Sequence, residues 1–211
     1  MKRDGLSGAL KHSALRLWEL FYLKRELLEF SGDMHKEQWY IEGRDPQAHT
    51  PLVDVEIRRA TRDDLPRFSR ILSKKRLRKF EEWFDKGYDA FVALSAGEIV
   101  YYQWLAFRDF YHPWIEMEFK IGENEVYPVD VYAVPGYRMK NLHLAVDSML
   151  FRYCRDRNRY RLVATASPDK FRLFQLMYKR GGLGTVHPVR SITYLRIMGF
   201  KKHRIRELTP C

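Results

Sequence analysis

Cysteine is scarce in this chain of 211 residues, where only Cys154 and Cys211 occur. Two cysteines give neither a disulfide framework nor a zinc site, so we expect a reducing compartment. The spacings Cys-x-x-Cys, His-Glu-x-x-His, Gly-x-Ser-x-Gly and Gly-Lys-Ser/Thr are all missing. The sequence therefore lacks the residues that zinc, serine and nucleotide hydrolases require, and we expect no bound metal.

Long apolar runs are missing as well. No stretch approaches the ~20 apolar residues that a membrane-spanning helix needs. The apolar residues after Met1 are soon interrupted by Lys11, His12 and Arg16, so the pattern of a secretory signal is not present. These observations lead us to expect a cytoplasmic protein.

Negative charge is in deficit, with 27 Asp and Glu against 38 Lys and Arg, a formal net charge of +11. Such an excess favours anionic partners, including nucleic acid or a phosphorylated acceptor. Runs of this kind are nevertheless more often solvated faces than binding sites. The basic residues form two clusters, one at Arg67, Arg70, Lys74, Lys75, Arg76, Arg78 and Lys79, the other at Lys201, Lys202, His203, Arg204 and Arg206.

The N-terminal part reads as an extension. Apolar residues over 9–30, among them Leu10, Leu17 and Leu28, fall on one helical stripe and predict an amphipathic helix. This helix could dock on the domain or a second subunit, or lie on an anionic membrane surface. We expect residues 1–50 to form this helix and a linker, and residues 51–211 to form one domain.

Strands and helices alternate after residue 53. This order predicts a mixed α/β sheet with helices on both faces. Strands are predicted at 53–59, 90–94, 98–106, 114–120, 125–134, 160–166, 183–187 and 191–199, and helices at 62–72, 75–85, 140–156 and 168–180.

The segment 127–150 is a strand, a turn and a helix in succession. Alternating apolar residues predict the strand, Pro135-Gly136 ends it, and Arg138 and Lys140 stand where the helix begins. The first turn of a helix has unpaired amides and a positive dipole end, which favour a phosphate or diphosphate. An ordinary crossover with solvated basic residues is the alternative at this point.

The segment 134–146 resembles the acyl-CoA-binding motif V-x-P-x-x-R-G-x-G-x-G/A of the GNAT acyltransferase superfamily, with Pro135, Arg138 and Lys140 in matching positions. Asn141 and His143 stand where the motif has glycines. The resemblance implies a mixed, mostly antiparallel twisted sheet with helices on both faces. It also implies that acetyl-CoA, or another acyl-CoA, is bound by Val134, Arg138, Met139, Lys140, Asn141, Leu142 and His143.

Two further segments, 53–72 and 168–184, are similar to the opening and the late helix of that superfamily. The second places Tyr178 on the family's tyrosine, which implies a proton donor to the departing thiolate. Glu125 and Asp130 are the carboxylates on the strand before the motif, and the period-two rule predicts that they lie on opposite faces. Glu125, acting through water, is the first candidate for the base; Asp130, which could instead bond the neighbouring backbone or Arg138, is the second, and His143 is the third.

Together these features lead us to expect an acyl-CoA-dependent acyltransferase, in particular an N-acetyltransferase acting on a small-molecule or protein amine. Two other functions remain open: a non-catalytic binding protein of the same fold, because motif glycines are replaced, and a basic nucleic-acid-binding module. A homodimer, an anionic acceptor and a membrane surface are further possible partners.

Overall fold

The computed structural model of this chain describes residues 22–33, 50–181 and 186–208. In chain order the strands are β1 (Tyr22–Asp33), β2 (Glu56–Arg59), β3 (Asp89–Ser95), β4 (Glu98–Ala106), β5 (Phe110–His112), β6 (Met117–Phe119), β7 (Glu125–Ala133), β8 (Arg161–Ala166), β9 (His187–Ile197) and β10 (Phe200–Glu207). The α-helices are α1 (Leu65–Ile71), α2 (Lys74–Asp85), α3 (Leu142–Arg155) and α4 (Pro168–Gly181), with 3-10 helices at Arg62–Asp64 and Pro135–Tyr137.

Eight strands form one sheet in the order β10-β9-β1-β8-β7-β4-β3-β2, while β5 and β6 form a separate pair. β7 and β8 are parallel, and the other neighbouring strands in the described ranges are antiparallel. The predicted mixed, mostly antiparallel sheet is therefore confirmed.

Helices cover both faces of the sheet, as predicted. On one face α1 and α2 pack Phe68, Phe80 and Trp83 against Tyr102 and Trp104 of β4. Their rings meet at centroid distances of 4.9 to 6.4 Å, so many of the aromatic residues serve as core. On the opposite face α3 packs on the other side of β3 and β4, and α4 packs beside it through Phe171.

The helix predicted over 9–30 is wrong from Tyr22 onward, because this part is strand β1. β1 lies between β8 and β9 and pairs with both, so its backbone groups are satisfied on both sides. Leu23 and Leu27 are buried in the core shared with α1 and α2. A spacing of four residues brings two side chains to one face of a helix and equally to one face of a strand, which explains the misassignment. Residues 9–21 lie outside the described residues, and the described part of the predicted extension belongs to the main sheet.

Smaller differences concern the strands near the two-stranded sheet and the C-terminus. The strand predicted at 114–120 is shorter, and it pairs with β5, which was not predicted. The strand predicted at 191–199 is β9, which begins at His187, and β10 was not predicted. Within the described ranges, none of the helices combines the length and the apolar character needed to cross a membrane.

Candidate active site

β7 and β8 separate soon after they begin to run side by side. Their parallel register contains only Glu125 with Arg161 and Val126 with Leu162. β8 goes on to pair with β1 as far as Ala166, whereas β7 has no further partner on β8 among the described residues. The edge of β7 from Tyr127 to Ala133 therefore faces a wedge between the two strands. Unpaired strand edges of this kind can accept an extended ligand.

A β-bulge lies in the middle of this edge. Trp104 of β4 is in register with Asp130 and Leu105 with Pro128, so Val129 is the extra residue on β7. The bulge shifts the alternation by one, which brings Asp130 to the same face as Tyr127. The prediction that Glu125 and Asp130 lie on opposite faces is therefore wrong, because the period-two rule holds only for a strand without a bulge.

The turn after β7 leads directly to the N-terminus of α3. Val134 donates its amide to the carbonyl of Val100 at 2.9 Å, and the 3-10 helix Pro135–Tyr137 follows. The main chain is then fixed to the start of the domain, because the amide of Leu52 donates to the carbonyl of Lys140 at 3.0 Å. α3 begins at Leu142, two residues later than predicted.

Two residues of this turn have left-handed backbone, Met139 with φ of 60° and Asn141 with φ of 59°. Counted from Arg138, Met139 and Asn141 both stand at glycine positions of the motif V-x-P-x-x-R-G-x-G-x-G/A, and glycine adopts this backbone region without steric cost. Asparagine adopts this region at low cost, but for methionine it costs roughly 1–2 kcal/mol. Met139 has 92% of its surface exposed, so the side chain turns away from the protein. The turn therefore adopts the left-handed backbone conformation that glycine favours, although neither residue is glycine.

The N-terminus of α3 offers unpaired donors. The amides of Met139, Lys140 and Asn141 make no main-chain hydrogen bond among the described residues. Asn141 is the N-cap and makes no side-chain capping bond. Arg138 is exposed and Lys140 is half-buried. Positive side chains, free amides and the positive end of a 14-residue helix thus meet at one corner, and this arrangement suits a diphosphate.

His143 is the second residue of α3 and is half-buried, as expected for a residue on the helix flank. It has interactions of its own in the structure. Leu142 is buried in the core beneath α3, so only its amide can face a ligand. Among the predicted cofactor-binding residues, the side chains of Arg138 and Lys140 and the amides around them have the most suitable positions.

Glu125 lies at the closed end of the wedge. Its Oε2 accepts the amide of Gly122 at 2.9 Å, and its Oε1 is 3.5 Å from Nη1 of Arg161. These contacts fix the turn before β7 and the start of the β7–β8 pair. Glu125 and Asp130 are five positions apart along the strand, a distance of roughly 15 Å. The two predicted carboxylates therefore share a face but do not meet.

Asp130 lies at the bulge, and its side chain lines a groove beside α2. Nη2 of Arg76 is 2.6 Å from both of its carboxylate oxygens, and the hydroxyl of Tyr102 is 3.5 Å from Oδ2. The groove has a volume of ≈ 580 Å³ and is lined by Ser73, Lys75, Arg76, Arg78, Lys79, Glu82, Trp83, Val129 and Asp130. Both bulge residues thus form part of a groove whose cations belong to the first basic cluster noted in the sequence; that this cluster meets the bulge was not predicted.

Lys79 is the half-buried cation of this groove. Its Nζ lies 4.7 Å from the centre of the Trp83 ring, and burial lowers the pKa of the ammonium group. No ion pair of Lys79, Lys75 or Arg78 occurs among the described residues, whereas Arg76 is paired with Asp130. The groove therefore has an excess of positive charge that the described part of the protein does not neutralise.

A buried polar network on the opposite face was also not predicted. The hydroxyl of Tyr101 donates to Oε1 of Gln103 at 2.8 Å, and Gln103 bonds the carboxyl of Asp147 on α3. Burial raises the pKa of Asp147 to about 7, which the bond with Gln103 partly opposes. From the sequence, an aspartate on a helix is expected at the surface. Only the packing of α3 on β4 shows that the carboxyl of Asp147 is buried. The side chain of Tyr178, the predicted proton donor on α4, lies outside the described residues.

No family model and no curated protein matches this sequence. Among solved structures, the GCN5-related glucosamine N-acetyltransferase region of a fungal multi-domain β-N-acetylglucosaminidase has a TM-score of 0.56 at 12% identity, covering 92% of this chain and 23% of that one. A putative GNAT acetyltransferase from Novosphingobium aromaticivorans DSM 12444 has a TM-score of 0.49 at 12% identity, covering 89% of this chain and 66% of that one. An aminoglycoside N-acetyltransferase solved with CoA has a TM-score of 0.45 at 16% identity, covering 59% of this chain and 89% of that one. The first of these likenesses rests on architecture alone, and it is sufficient for one conclusion: this chain has the fold of the GNAT N-acetyltransferases.

Proposed function

We propose that this protein transfers an acyl group, in particular acetyl, from an acyl-CoA to an amine. One observation carries the proposal: the free edge of β7 opens into the wedge and leads directly to the amide-rich N-terminus of α3. This combination provides a binding surface for an extended thiol arm next to one for a diphosphate.

The residues of the corner fit an acyl-CoA. Arg138 and Lys140 supply charge to the diphosphate, and the amides of Met139, Lys140 and Asn141 supply donors. The edge of β7 between Tyr127 and Ala133 supplies backbone groups to the pantetheine arm. The left-handed turn at Met139 and Asn141 keeps side chains away from the phosphate path, which is the property that glycines provide in the motif.

The bulge is the proposed position of the thioester. Val129 is outside the β4 register and Pro128 has no amide, so the Val129 amide is the donor we assign to the acyl oxygen. The amine nitrogen forms a bond to the acyl carbon, the carbon–sulfur bond breaks, and the thiolate takes a proton. We assign that proton donor as Tyr178 and assign Asp130, rather than the distant Glu125, to accept the proton that the amine loses.

The acceptor class follows from the groove beside α2. The cations of this groove lie next to the bulge. α2 begins with Lys74, Lys75 and Arg76 at the positive end of its dipole. Each positive charge at this end lowers the stability of the helix by about 0.3–1 kcal/mol. A bound anion would offset this cost. We therefore propose an amine that carries a phosphate or carboxylate group, and the first comparison is phosphoethanolamine against ethanolamine.

Calorimetry with acetyl-CoA tests the cofactor step. Arg138→Ala should weaken binding about tenfold, because a charge-assisted contact to phosphate contributes ~1.5 kcal/mol or more. Arg152→Ala, which removes an exposed arginine near the other end of α3, is the matched control and should leave binding unchanged. No binding of acetyl-CoA at millimolar concentration would refute the enzyme proposal, and binding without turnover of any amine would favour a non-catalytic protein.

Release of free CoA thiol tests the chemistry. Asp130→Asn and Tyr178→Phe should each lower kcat at least tenfold with little change in acetyl-CoA affinity. Glu98→Gln is the control for Asp130, because it also removes a carboxylate paired with an arginine, Arg70, away from the groove. Unchanged kcat in Asp130→Asn would remove this carboxylate from the mechanism.

A further inference from the structure

A row of apolar side chains crosses one end of the sheet. Tyr22 of β1 is in register with Ile197 of β9, which is in register with Phe200 of β10. Residues in register point to the same face of a sheet. Their exposed fractions are 41%, 44% and 83%, and Met198 in the turn between β9 and β10 is 72% exposed. These four residues, termed the apolar rim, form a contiguous patch at the tip of a hairpin.

The turn itself is unusual in composition. Ile197 and Phe200 close a two-residue hairpin loop, in which Met198 has φ of 47° and Gly199 has φ of 87°. Loops with two positive φ angles strongly prefer Asn-Gly or Asp-Gly. Methionine is strained in this position, and its exposure brings no packing gain within the described residues. An apolar residue that is both strained and exposed indicates selection for contact with something outside the chain.

Three cationic side chains lie on the same face of β10 as Phe200, further along the strand. Lys202, Arg204 and Arg206 lie two, four and six residues after Phe200, so they point to its side of β10. None of the three has an ion pair in the described part of the chain. The alternate residues face the other way, where Lys201 pairs with Glu116 and His203 contacts the carbonyl of Ile115. The hairpin therefore has one face with an apolar tip and a column of unpaired positive charge.

We propose that this hairpin face docks on an anionic lipid surface, with the apolar rim entering the interface and the cations facing the headgroups. Apolar side chains beside unpaired lysine and arginine are the combination that anionic membranes bind. Nucleic acid would use the cations but has no use for Met198 and Phe200 at a hairpin tip. Pairing of β10 with β10 of a second copy would bring Lys202, Arg204 and Arg206 against the same like charges. This inference is independent of the acyltransferase proposal.

Co-sedimentation with vesicles tests the inference on the whole chain. The expected result is strong binding to phosphatidylcholine vesicles that contain phosphatidylserine, weak binding to phosphatidylcholine alone, and loss of binding as salt is raised. The double variant Met198→Ser, Phe200→Ser should bind at least tenfold more weakly. The triple variant Lys202→Gln, Arg204→Gln, Arg206→Gln should bind about 100-fold more weakly, because each cation near such a surface contributes about a fivefold factor.

The matched control is Lys74→Gln, Lys75→Gln, Arg78→Gln, which removes the same charge from α2. It should keep most of the vesicle binding, and an equal loss would show that net charge rather than the hairpin is responsible and would overturn the proposal. Equal binding to neutral and anionic vesicles, or no binding to either, would also overturn it. Concentration-dependent dimerisation abolished by the serine variant would assign the rim to a second copy instead. Circular dichroism of each variant confirms that the fold is retained.

Discussion

The buried carboxyl of Asp147 gives a quantitative prediction about stability. Its pKa is raised by burial from an ordinary 3.8 to about 7, so the folded protein holds this proton more tightly than the unfolded chain. The contribution of Asp147 to the free energy of unfolding is therefore complete below the pKa of the unfolded chain, 3.8. It falls as the pH rises from about 4 to 7 and stays low at higher pH. Substitution Asp147→Asn should remove this pH dependence, because asparagine has nearly the same shape and carries no charge.

The full difference between the two pKa values corresponds to about 4 kcal/mol. The carboxyl is buried but the residue as a whole is only half-buried, so nearby solvent reduces this difference, and we expect about half of it, ~2 kcal/mol, as the gain of the asparagine variant at pH 8. Urea denaturation at pH 5 and pH 8 measures it, and the difference between wild type and variant cancels the other titrating groups. Asp156→Asn, at the exposed C-terminal end of α3, is the control and should show no such gain.

Equal pH dependence in wild type and Asp147→Asn would refute the reasoning, since it would mean that the carboxyl is solvated in the folded protein. A variant less stable at pH 8 than wild type would show instead that the ionised carboxyl makes favourable contacts with Gln103 that outweigh its burial. If the variant and the wild type show the same dependence of unfolding free energy on urea concentration, the shift of the urea midpoint alone gives the difference in stability.

Two further predictions concern stability on the opposite face. Asp64 is almost fully buried and accepts hydrogen bonds from Arg58, which lower the pKa of its carboxyl. Asp64→Asn should lower the free energy of unfolding at pH 7 by ~3 kcal/mol, as measured by urea denaturation. This loss should become smaller as the pH falls below about 4, because the carboxyl of the wild type is then protonated. An undiminished loss at pH 3 would contradict the role of the charge. Phe80→Ala opens a cavity among four aromatic rings and should cost about 4 kcal/mol, whereas exposed Leu52→Ala should cost under 1 kcal/mol; thermal unfolding of the two variants separates these expectations.

Local sequence patterns predicted most elements from β2 to β9. They succeeded where periodicity and turn residues agree, as at Pro135-Gly136, which was predicted to end the strand and begins the 3-10 helix after β7. They failed at β1, because leucines four residues apart satisfy the period of a helix and that of a strand alike. The deciding factor was pairing with β8 and β9, which lie more than a hundred residues away in the chain.

The site shows the same division. Asn141 in left-handed backbone was foreseeable from its residue type, and Arg138 and Lys140 from their place before a helix. The bulge at Val129 was not foreseeable, because it exists only in the register between β4 and β7, and it reversed the predicted orientation of Asp130 relative to Glu125.

By itself, the sequence determined what depends on neighbouring residues: the strand that ends at a proline, the turn that follows it, and the helix that begins after that turn. Tertiary structure alone decided which distant groups meet, namely the separation of β7 from β8, the basic groove that joins α2 to the bulge, and the apolar rim across β1, β9 and β10. The physical reason is that backbone conformation follows from local sterics and hydrogen bonding, whereas strand register and burial are settled by contacts between segments far apart in the chain.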